Sequence, residues 1–435
     1  MENARMLTLS LLNKTFENNG FSNILLDSAL NSSELSPQDK RFCAALYYGV
    51  IERRITLDYV IAKYSKKSLN KLDDVVVNIL RMGVYQLKYM DNVPNNAAVN
   101  ESVVLTRKMK IASASGFVNA VLRGFIRDDK HIAAPPTKIE AMSVMYSAPE
   151  WLVKKLMSEY SEEIAVSLLE NSVGTPPTTI RLNTTIANEQ MLLTQLTGHS
   201  LSKNIYIDNC YSVESGDIVA STAFKDGFFH VQDIASQLCC MALAPKEGDI
   251  VIDVCSAPGG KAFTLAELMN NTGMVYAMDL YDNRVKLIND GIQRLKLKNV
   301  TAMKSNANEI NSVLPQADKV LCDVPCSGLG VIRRKPEIKY KNAEDFEELP
   351  NIQYGILSNS SGYLKVGGEL IYSTCTLNRN ENDKVVDRFL SEHPNFEGVS
   401  FLENLGGPFG GTRATLAPLY FNSDGFFMAK LRRVK

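Results

Sequence analysis

The sequence has few of the residues that build metal centres or disulfide frameworks. Its four histidines are far apart, and its eight cysteines are scattered, with only Cys239 and Cys240 adjacent. No CxxC pair and no Cys/His cluster has the spacing of a zinc site, so we expect no bound metal. Scattered cysteines of this kind are typical of a reduced cytoplasmic protein rather than a disulfide-linked one.

Long apolar segments are also absent. No stretch approaches the roughly 18 residues that suggest a membrane-spanning helix, and the N-terminus does not resemble a secretion signal. We therefore expect a cytoplasmic protein that has no membrane partner. With 45% hydrophobic and 22% charged residues in a chain of 435, the composition is that of a globular protein with two or three domains.

The net charge of −1 conceals an uneven distribution of charge. Lys and Arg outnumber Asp and Glu over residues 1–130, whereas the acidic residues outnumber the basic ones over the remainder. A basic N-terminal region permits nucleic-acid binding, although charged helices are as often simply solvated faces. Charge alone leaves both interpretations open.

Hydrophobic periodicity predicts a helical bundle over residues 1–132. Apolar residues recur at helical spacing in Val76–Leu87 and Phe117–Ile126, and no strand-like alternation competes with them. Ser36-Pro37 is a typical helix start, with proline at the first helical position, and Pro94 separates two helices. These signals favour a small all-α domain.

Residues 133–229 mix helical and β-like segments. A helix is predicted to open at Pro149 and run towards Glu170, and the β-like run Thr178–Asn183 precedes a helix near Asn188–Thr197. We predict a small α+β module between the bundle and the C-terminal part of the chain.

Residues 230–435 alternate between short apolar runs and helical stretches. Six runs have strand character: Ile250–Val254, Met274–Met278, Val300–Met303, Lys319–Cys322, Glu369–Ser373 and Phe426–Leu431. This alternation indicates a doubly wound, mostly parallel sheet, and hence a C-terminal α/β domain of Rossmann-like type.

The first of these strands leads into a glycine-rich turn, Asp253-Val-Cys-Ser-Ala-Pro-Gly-Gly-Lys261. Gly259 and Gly260 allow close approach of a ligand, and the amides of the following helix can hold an anion. The turn is neither GxGxxG nor a phosphate loop, and alone it is also compatible with a generic strand-to-helix turn.

Two polar residues extend this candidate site along the sheet. Asp279 ends the second strand, where a carboxylate can accept both hydroxyls of a ribose, and Asn306 follows the third strand, near the expected adenine edge. Each alone is more often a surface polar residue. In register with successive strands they predict a nucleoside-binding crevice.

Three motifs, in this order, resemble the RNA cytosine-C5 methyltransferases that use S-adenosylmethionine: CSAPGGK, DVPCSGLGVIRRKPEIKY and YSTCTLNRNEN. The N-terminal pattern, ending in Gly116-Phe-Val-Asn-Ala-Val-Leu-Arg123, resembles the NusB-like helical domain. The fusion is similar to the Sun/Fmu (RsmB) type, which modifies a cytosine of bacterial 16S rRNA. The resemblance covers nearly the whole chain and implies a 16S rRNA substrate, on naked RNA or a partly assembled subunit, and a monomeric enzyme.

The resemblance also implies roles for the turn and the strand ends. Asp279 would hold the ribose, Asp323 would line the methionine end and the target base, and Asn306 stands where the family commonly has Asp. Asn keeps a hydrogen bond but loses the charge, so we expect cofactor binding of somewhat altered strength. The residues implied to surround the methionine part of the cofactor are Cys255, Ser256, Ala257, Pro258, Gly259, Gly260 and Lys261.

Cys326 and Cys375 each follow a predicted strand, so both thiols can face one crevice. Physical reasoning alone does not choose the nucleophile. DNA cytosine methyltransferases use the Pro-Cys thiol, which nominates Cys326, whereas the RNA family uses the Thr-Cys thiol, which nominates Cys375. The RNA-type motifs imply that Cys375 attacks the base and Cys326 assists product release. A buried structural thiol is the alternative for either residue.

Asp323 is a candidate acid or hydrogen-bond partner for cytosine N3, which would make C6 more electrophilic. An ion pair with Lys261 is the alternative, and both can hold together.

RNA contacts are predicted at Arg333, Arg334 and Lys335, which follow the Pro-Cys loop and are basic side chains suited to phosphates. The resemblance implies a further RNA contact at Arg181, which is similar to an RNA-facing position of the family. A surface salt bridge is an equal alternative at each position. Two other functions compete with the main hypothesis: a non-catalytic RNA-binding or assembly factor, and a methyltransferase acting on nitrogen, which commonly has Asn/Asp-Pro-Pro-aromatic where this chain has Asp-Val-Pro-Cys.

Overall fold

The computed structural model describes residues 3–18 and 22–435. The chain forms two compact units. The first is built from Met1–Thr175 and Ile332–Lys341, and the second from Pro176–Val331 and Asn342–Lys435. The predicted middle segment 133–229 is therefore shared between the two units rather than separate from both.

The first unit is helical, which confirms the bundle. Ser36 caps one helix start by accepting a hydrogen bond from the Asp39 amide at 3.1 Å, with Pro37 in the first helical position. Side chains of the predicted periodic positions, such as Leu80 and Leu122, are buried in one core. The helices are α1 Ala4–Asn18, α2 Ser22–Ser32, α3 Pro37–Glu52, α4 Arg54–Ser65, α5 Asp74–Tyr89, α6 Asn95–Lys108, α7 Ser115–Arg127, α8 Lys138–Tyr146, α9 Glu150–Glu159 and α10 Glu162–Glu170.

The single helix predicted from Pro149 towards Glu170 is two helices, α9 and α10. The chain leaves helical geometry at Tyr160, and the Ser161 hydroxyl accepts a hydrogen bond from the Ile164 amide as the cap of α10. A serine that can satisfy the exposed amides of a new helix stops the old one, although the apolar pattern continues.

A short segment from the C-terminal half of the sequence, Ile332–Lys341, belongs to the first unit. Its 3₁₀ turn, Pro336–Tyr340, packs near α3. The Tyr340 hydroxyl donates to the Ile51 carbonyl at 2.6 Å, and the Ser22 hydroxyl donates to Glu337 at 2.8 Å. Burial of apolar side chains within this segment explains why it joins the bundle.

The second unit begins with a four-stranded antiparallel sheet in the order β2-β3-β1-β4. Its elements confirm the predicted β-run and the following helix, which Asn188 caps. They are β1 Thr178–Leu182, α11 Glu189–Gln195, β2 Ser200–Lys203, β3 Cys210–Ser215, α12 Thr222–Lys225 and β4 Phe229–Val231.

The remainder of the second unit is an eight-stranded mixed sheet flanked by helices. Strand order is β10-β12-β9-β8-β5-β6-β7, with β11 paired to β12. The five strands from β5 to β9 are parallel, and β12 is antiparallel to β9. The elements are α13 Ile234–Leu243, β5 Ile250–Asp253, α14 Gly260–Leu268, β6 Met274–Asp279, α15 Asp282–Leu295, β7 Val300–Lys304, β8 Ala317–Asp323, α16 Leu349–Ser361, β9 Leu364–Thr374, α17 Asp383–Glu392, β10 Phe396–Gly398, β11 Arg413–Leu416, α18 Pro418–Phe421 and β12 Phe426–Arg433.

All six predicted strands are present, and the Rossmann-like α/β architecture is confirmed. Strand order reverses at β5: the chain goes from β5 to β6 and β7 on one side, and returns to β8 and β9 on the other. A crevice at the carboxyl ends of the strands opens at such a reversal, which is where ligands bind in doubly wound sheets.

The four-stranded sheet is joined to the α/β domain by buried polar contacts. The Asn183 amide donates to the carbonyls of Gly227 and Leu295 at 3.0 and 2.9 Å. The Arg294 guanidinium lies 3.9 Å from the centre of the Phe224 ring and donates to the Phe229 carbonyl at 3.0 Å. Both contacts fix the end of α15 against the small sheet, so this part of the module is continuous with the α/β domain.

The described residues contain neither a group of side chains arranged to hold a metal ion nor a helix that could cross a membrane. Among residues 3–18 and 22–435, no group of three or more His, Cys, Asp or Glu side chains is arranged to hold a metal ion. Over the same ranges, no helix has both the length and the apolar character to cross a membrane.

Gly227 is expected to be a critical position for the second unit. It has φ of +82°, and an added Cβ would lie 2.1 Å from the Arg294 carbonyl oxygen, a backbone atom that cannot rotate away. We expect Gly227→Ala to lower the free energy of unfolding by about 2–4 kcal/mol, because backbone strain and overpacking add. Urea denaturation followed by circular dichroism measures it. Gly198→Ala is the matched control, since Gly198 has φ of +98° but open space at its Cβ position; equal losses in both variants would contradict the packing argument.

Candidate active site

The register of the parallel strands aligns the polar residues at one edge of the sheet. Asp253 at the end of β5 pairs with Leu321 of β8, and Asp323 at the end of β8 pairs with Ser373 of β9. Asp279 ends β6 on the other side of β5. The three strand-terminal carboxylates are therefore neighbours along the carboxyl edge, as the sequence predicted for Asp279 and Asp323.

The glycine-rich turn lies between β5 and α14. Gly259 has φ of +106°, and a Cβ there would lie 2.3 Å from the Phe263 ring, so only glycine fits this position. Gly260 begins α14 and has only an ordinary contact at its Cβ position. The Gly259 amide donates to the Ser256 carbonyl at 2.8 Å, closing the turn. Cys255 and Ala257 contribute to the hydrophobic packing below it.

Asp279 is buried and oriented by the turn. Its Oδ2 accepts a hydrogen bond from the Ala257 amide at 3.3 Å and lies 3.5 Å from the Arg284 guanidinium, which also donates to the Ala257 carbonyl. Asn306, after β7, donates to Glu309 at 2.8 Å and accepts from the Asn308 amide. Asn306 thus caps its own loop, while Asp279 lies at the position from which a ribose can be held.

Asp253 is the carboxylate that sequence reasoning missed. It is 1% exposed, and neither of its side-chain oxygens has a hydrogen-bond partner of ordinary geometry. Burial raises its pKa to about 7, although the Ser256 hydroxyl and the Cys255 amide partly offset that effect. The available signal was its place as the only acid at the end of the apolar run Ile250-Val-Ile.

Lys261 and Asp323 form an ion pair at the mouth of the crevice, with 2.7 Å between Nζ and Oδ2. The Ser373 hydroxyl donates to Asp323 Oδ1 at 2.8 Å. Burial works against the charge on Lys261, but Asp323 outweighs it, so the pKa of Lys261 lies above its usual value. Both oxygens of Asp323 are held, which fixes the plane of the carboxylate. The ion pair with Lys261, which the sequence left open as an alternative role for Asp323, is therefore present in the structure.

The two cysteines of the separate motifs meet. The Sγ atoms of Cys326 and Cys375 are 3.1 Å apart, and both side chains are partly exposed. The loops that carry them are tied together, because the Gly330 amide donates to the Cys375 carbonyl at 3.0 Å. Gly330 has to be glycine, since a Cβ there would lie 2.0 Å from the Gly425 carbonyl oxygen. The sequence placed both thiols in one crevice, and the structure brings them into contact.

The surroundings of Cys326 shift its protonation. The hydrogen bond with Cys375 and burial raise the pKa of Cys326 well above its usual value, and the Glu381 carboxylate acts in the same direction. Either sulfur can be the donor in the contact between the two thiols. Cys326 is therefore a poor candidate for a thiolate at neutral pH.

Further polar residues of the site were not predicted individually. Glu381 and Asn382, within the quoted YSTCTLNRNEN motif, are fully buried and bind residues next to both cysteines. Their only sequence signal was membership of that motif, because an acid and an amide in a loop ordinarily indicate solvent exposure.

Arg181 is in the interior rather than on a surface. Its side chain is 4% exposed and its Nε lies 3.0 Å from Glu267, which is itself fully buried and also 3.3 Å from His230. The salt-bridge alternative is thus present, in buried form, between β1 and α14. A contact between Arg181 and RNA stays a prediction that this placement does not favour.

Arg333, Arg334 and Lys335 lie in the segment that packs with the helical unit. Arg333 is 9% exposed, whereas Lys335 is exposed at the start of the 3₁₀ turn. The sequence prediction placed the three residues within the C-terminal domain, and in the structure their segment belongs to the helical unit. Their role towards RNA stays a prediction.

Comparison with known protein families assigns each part of the chain. Residues 240–432 match the model of the 16S rRNA methyltransferase RsmB/F, residues 2–127 match the NusB family, and residues 148–205 match the ferredoxin-like domain of the RsmF/B-like methyltransferases. These three matches follow the order of the bundle, the small module and the α/β domain.

Individual relatives match over nearly the full length. The chain is 36% identical over 440 residues to the probable ribosomal RNA small subunit methyltransferase B of Bacillus subtilis (strain 168), covering 99% of this chain and 98% of that one. It is 31% identical over 409 residues to ribosomal RNA small subunit methyltransferase B of Escherichia coli (strain K12), covering 92% and 91%. Among solved structures, the crystal structure of PH0851 is similar in fold, with a TM-score of 0.82, 24% identity, and coverage of 99% and 98%.

Selective alkylation of the native protein should separate the two site thiols from the structural ones. We expect iodoacetamide to label Cys375 before the buried thiols, because Cys375 is partly exposed whereas burial raises the pKa of Cys239 to about 12 and of Cys210 to about 11. Mass spectrometry of the alkylated peptides locates the label, and denatured protein, in which all eight cysteines react, is the control. Labelling of Cys239 or Cys322 at a rate comparable with Cys375 would contradict this order of reactivity.

Proposed function

The chain belongs to the RsmB/F family of 16S rRNA methyltransferases, and we propose that it transfers a methyl group from S-adenosylmethionine to C5 of a cytosine in 16S rRNA. The proposed intermediate is a covalent bond between Cys375 and C6 of the base. The observation that carries the proposal is the 3.1 Å contact between two thiols at the carboxyl edge of the sheet. Methyl transfer to a ring nitrogen needs no thiol, whereas activation of a pyrimidine carbon does.

The crevice has the donors and acceptors that S-adenosylmethionine requires. The buried Asp253 carboxylate, whose oxygens have no hydrogen-bond partner of ordinary geometry, suits the ammonium group of the methionine part. Asp279 is oriented to accept ribose hydroxyls, and the amides of the glycine-rich turn suit the carboxylate. When bound, S-adenosylmethionine supplies a methyl group made electrophilic by its sulfonium. We propose that residues 255–261, Asp279, Asn306 and Asp323 contribute to this site.

The chemistry proposed for Cys375 follows from the low nucleophilicity of cytosine C5. Addition of the Cys375 sulfur to C6 breaks the C5–C6 double bond and moves its electron pair to C5, which then takes the methyl group. Loss of the C5 proton restores the double bond as the bond between sulfur and C6 breaks. The protein divides one difficult step into easier ones.

Cys326 and Asp323 are proposed to support this sequence. The raised pKa of Cys326 favours its protonated form, so it can donate that proton to the Cys375 sulfur as the adduct breaks, and the C5 proton, taken up through solvent water, restores the Cys326 thiol. Asp323, whose plane Lys261 and Ser373 hold fixed, is proposed to line the site where the target base meets the methionine end of the cofactor. The target base has to leave any stack to reach the thiols.

Cysteine variants test the proposed division of labour. We expect Cys375→Ala to abolish transfer of tritium-labelled methyl from S-adenosylmethionine to 16S rRNA, because no other group forms the adduct. We expect Cys326→Ala to accumulate a covalent protein–RNA adduct, seen as a shifted band in a denaturing gel, because release is impaired.

The matched control for both is Cys322→Ala, a buried thiol on β8 that does not touch the Cys326–Cys375 pair. Full activity of Cys375→Ala with loss in Cys326→Ala would reverse the assignment. Absence of S-adenosylmethionine binding by calorimetry would favour a non-catalytic RNA-binding or assembly factor instead.

Cofactor affinity should depend on pH through Asp253. Its pKa is raised to about 7, so below that pH the carboxyl binds a proton that an ammonium has to displace. We expect the affinity for S-adenosylmethionine to fall by up to about tenfold per pH unit as pH decreases below 7. Calorimetric titrations across this range measure it. Asp253→Asn should bind weakly with little dependence on pH, whereas Asp249→Asn, just before the other end of β5, should behave as wild type. A steep pH dependence retained in Asp253→Asn would refute the assignment.

A further inference from the structure

We propose that Glu381 is a positioning residue for the reaction: its buried carboxylate holds the loops of Cys326 and Cys375 in a single register. The inference rests on the proposed function, because it is that function which requires the two thiols to meet. Glu381 touches neither thiol in the hydrogen-bond network, and it acts through the residues on either side of them.

The Glu381 carboxylate is fully buried and accepts four hydrogen bonds, two on each oxygen. Oε1 accepts from the Ser327 hydroxyl at 2.6 Å and from the Asn378 amide at 2.9 Å. Oε2 accepts from the Ser327 backbone amide and from the Gln353 side chain, both at 2.9 Å. These donors come from the Cys326 loop, the Cys375 loop and α16. One side chain thus ties three separate segments.

The same contacts flank both cysteines. Gln353 also donates to the Pro325 carbonyl at 2.9 Å, so residues on both sides of Cys326 are held through Glu381 or its partner. The Ser327 hydroxyl lies 2.6 Å from the Thr376 hydroxyl, directly after Cys375. Glu381 is therefore coupled to the backbone next to each thiol through at most one intervening side chain.

Asn382 completes the frame on the Cys375 side. Its Oδ1 accepts from the Thr374 hydroxyl at 2.6 Å, and its Nδ2 donates to the Thr376 carbonyl at 3.0 Å. The two residues on either side of Cys375 are thereby fixed by one amide. The adjacent residues Glu381 and Asn382 divide the task, with Glu381 joining the two loops and Asn382 shaping one of them.

The network requires that both terminal oxygens of the Glu381 side chain act as acceptors. All four donors named above are uncharged N–H or O–H groups aimed at the two carboxylate oxygens. An amide in place of the carboxylate would turn an NH₂ group towards two of them, leaving buried donors unpaired. The charge also matters, since the Glu381 carboxylate contributes to the raised pKa of Cys326.

Cross-linking of the two thiols tests the inference without RNA. Diamide oxidises adjacent thiols: it takes up two electrons and two protons to become a hydrazine as the Sγ–Sγ bond forms. We expect Glu381→Gln to form the Cys326–Cys375 disulfide at least about tenfold more slowly than wild type, because a disulfide requires specific geometry. Methyl transfer should fall about 10²-fold in kcat, as a displacement of around 1 Å can cause. The KM for RNA and the Kd for S-adenosylmethionine should stay within about threefold.

The controls separate positioning from a general loss of stability. Glu267→Gln alters another fully buried carboxylate of the same unit, bound to Arg181 rather than to the cysteine loops, and should leave cross-linking unchanged. Glu381→Asp keeps both acceptors on a shorter side chain and should recover part of the rate. If Glu381→Gln does not fold, Ser327→Ala, which removes one donor, takes its place. We expect Ser327→Ala to slow cross-linking and to lower kcat by smaller factors.

Cross-linking and turnover at wild-type rates in Glu381→Gln, or an equal loss in Glu267→Gln, would overturn the inference. The outcomes also distinguish this inference from the proposed function. If Glu381→Gln cross-links more slowly than wild type but the wild-type protein transfers no methyl to RNA, the proposed function alone is refuted. Methyl transfer with cross-linking indifferent to Glu381 would refute the positioning role alone.

Discussion

The parallel pairing of β8 with β9 is the constraint on which the site depends. Asp323 and Ser373 are paired in register, so the loops that leave these strands start side by side. Cys326 lies three residues beyond the first and Cys375 two residues beyond the second, and their sulfur atoms meet although 49 residues separate them in the chain. A shift of one residue in this register would turn the side chains to the other face and separate the thiols.

Much of the fold was predictable because its signals are local. Strand runs, the glycine-rich turn and the capped start of α3 depend on residues close together in the sequence, and each was found at or near its predicted bounds. The features that were missed depend on distant partners. Ser161 ends a helix that the apolar pattern continues, and Ile332–Lys341 belongs to the helical unit, where Tyr340 packs against the bundle core.

Whether a site residue could be predicted likewise depended on whether its signal was local or came from residues distant in the sequence. The cysteines and Asp279 were found because they end or follow strands, and the carboxyl edge of a parallel sheet gathers such residues. Arg181 was expected on an RNA-facing surface because it resembles an RNA-facing position of the family. Its partner Glu267 is 86 residues away, and no spacing rule links them. Glu381 was missed for a similar reason, since its four donors come from three segments that only the folded chain brings together.

The buried carboxylate of Asp253 lowers the stability of the folded chain at the proposed cofactor crevice. Because burial raises its pKa to about 7, the folded state binds a proton that the unfolded state releases near pH 4, so the free energy of unfolding falls as pH rises through this interval. Keeping the carboxylate ionised above pH 7 costs roughly 4 kcal/mol at the usual 1.36 kcal/mol for each pH unit.

A purely structural position would carry an apolar residue or supply a donor. An unpaired acceptor is instead what a cationic ligand needs, and an ammonium bound there would recover much of that cost. Lys261 is paired with Asp323 and Arg284 lies beside Asp279, so of the three strand-terminal carboxylates Asp253 is the one for which the described residues provide no ion pair. In the proposed complex, a cationic group of S-adenosylmethionine would supply that positive charge.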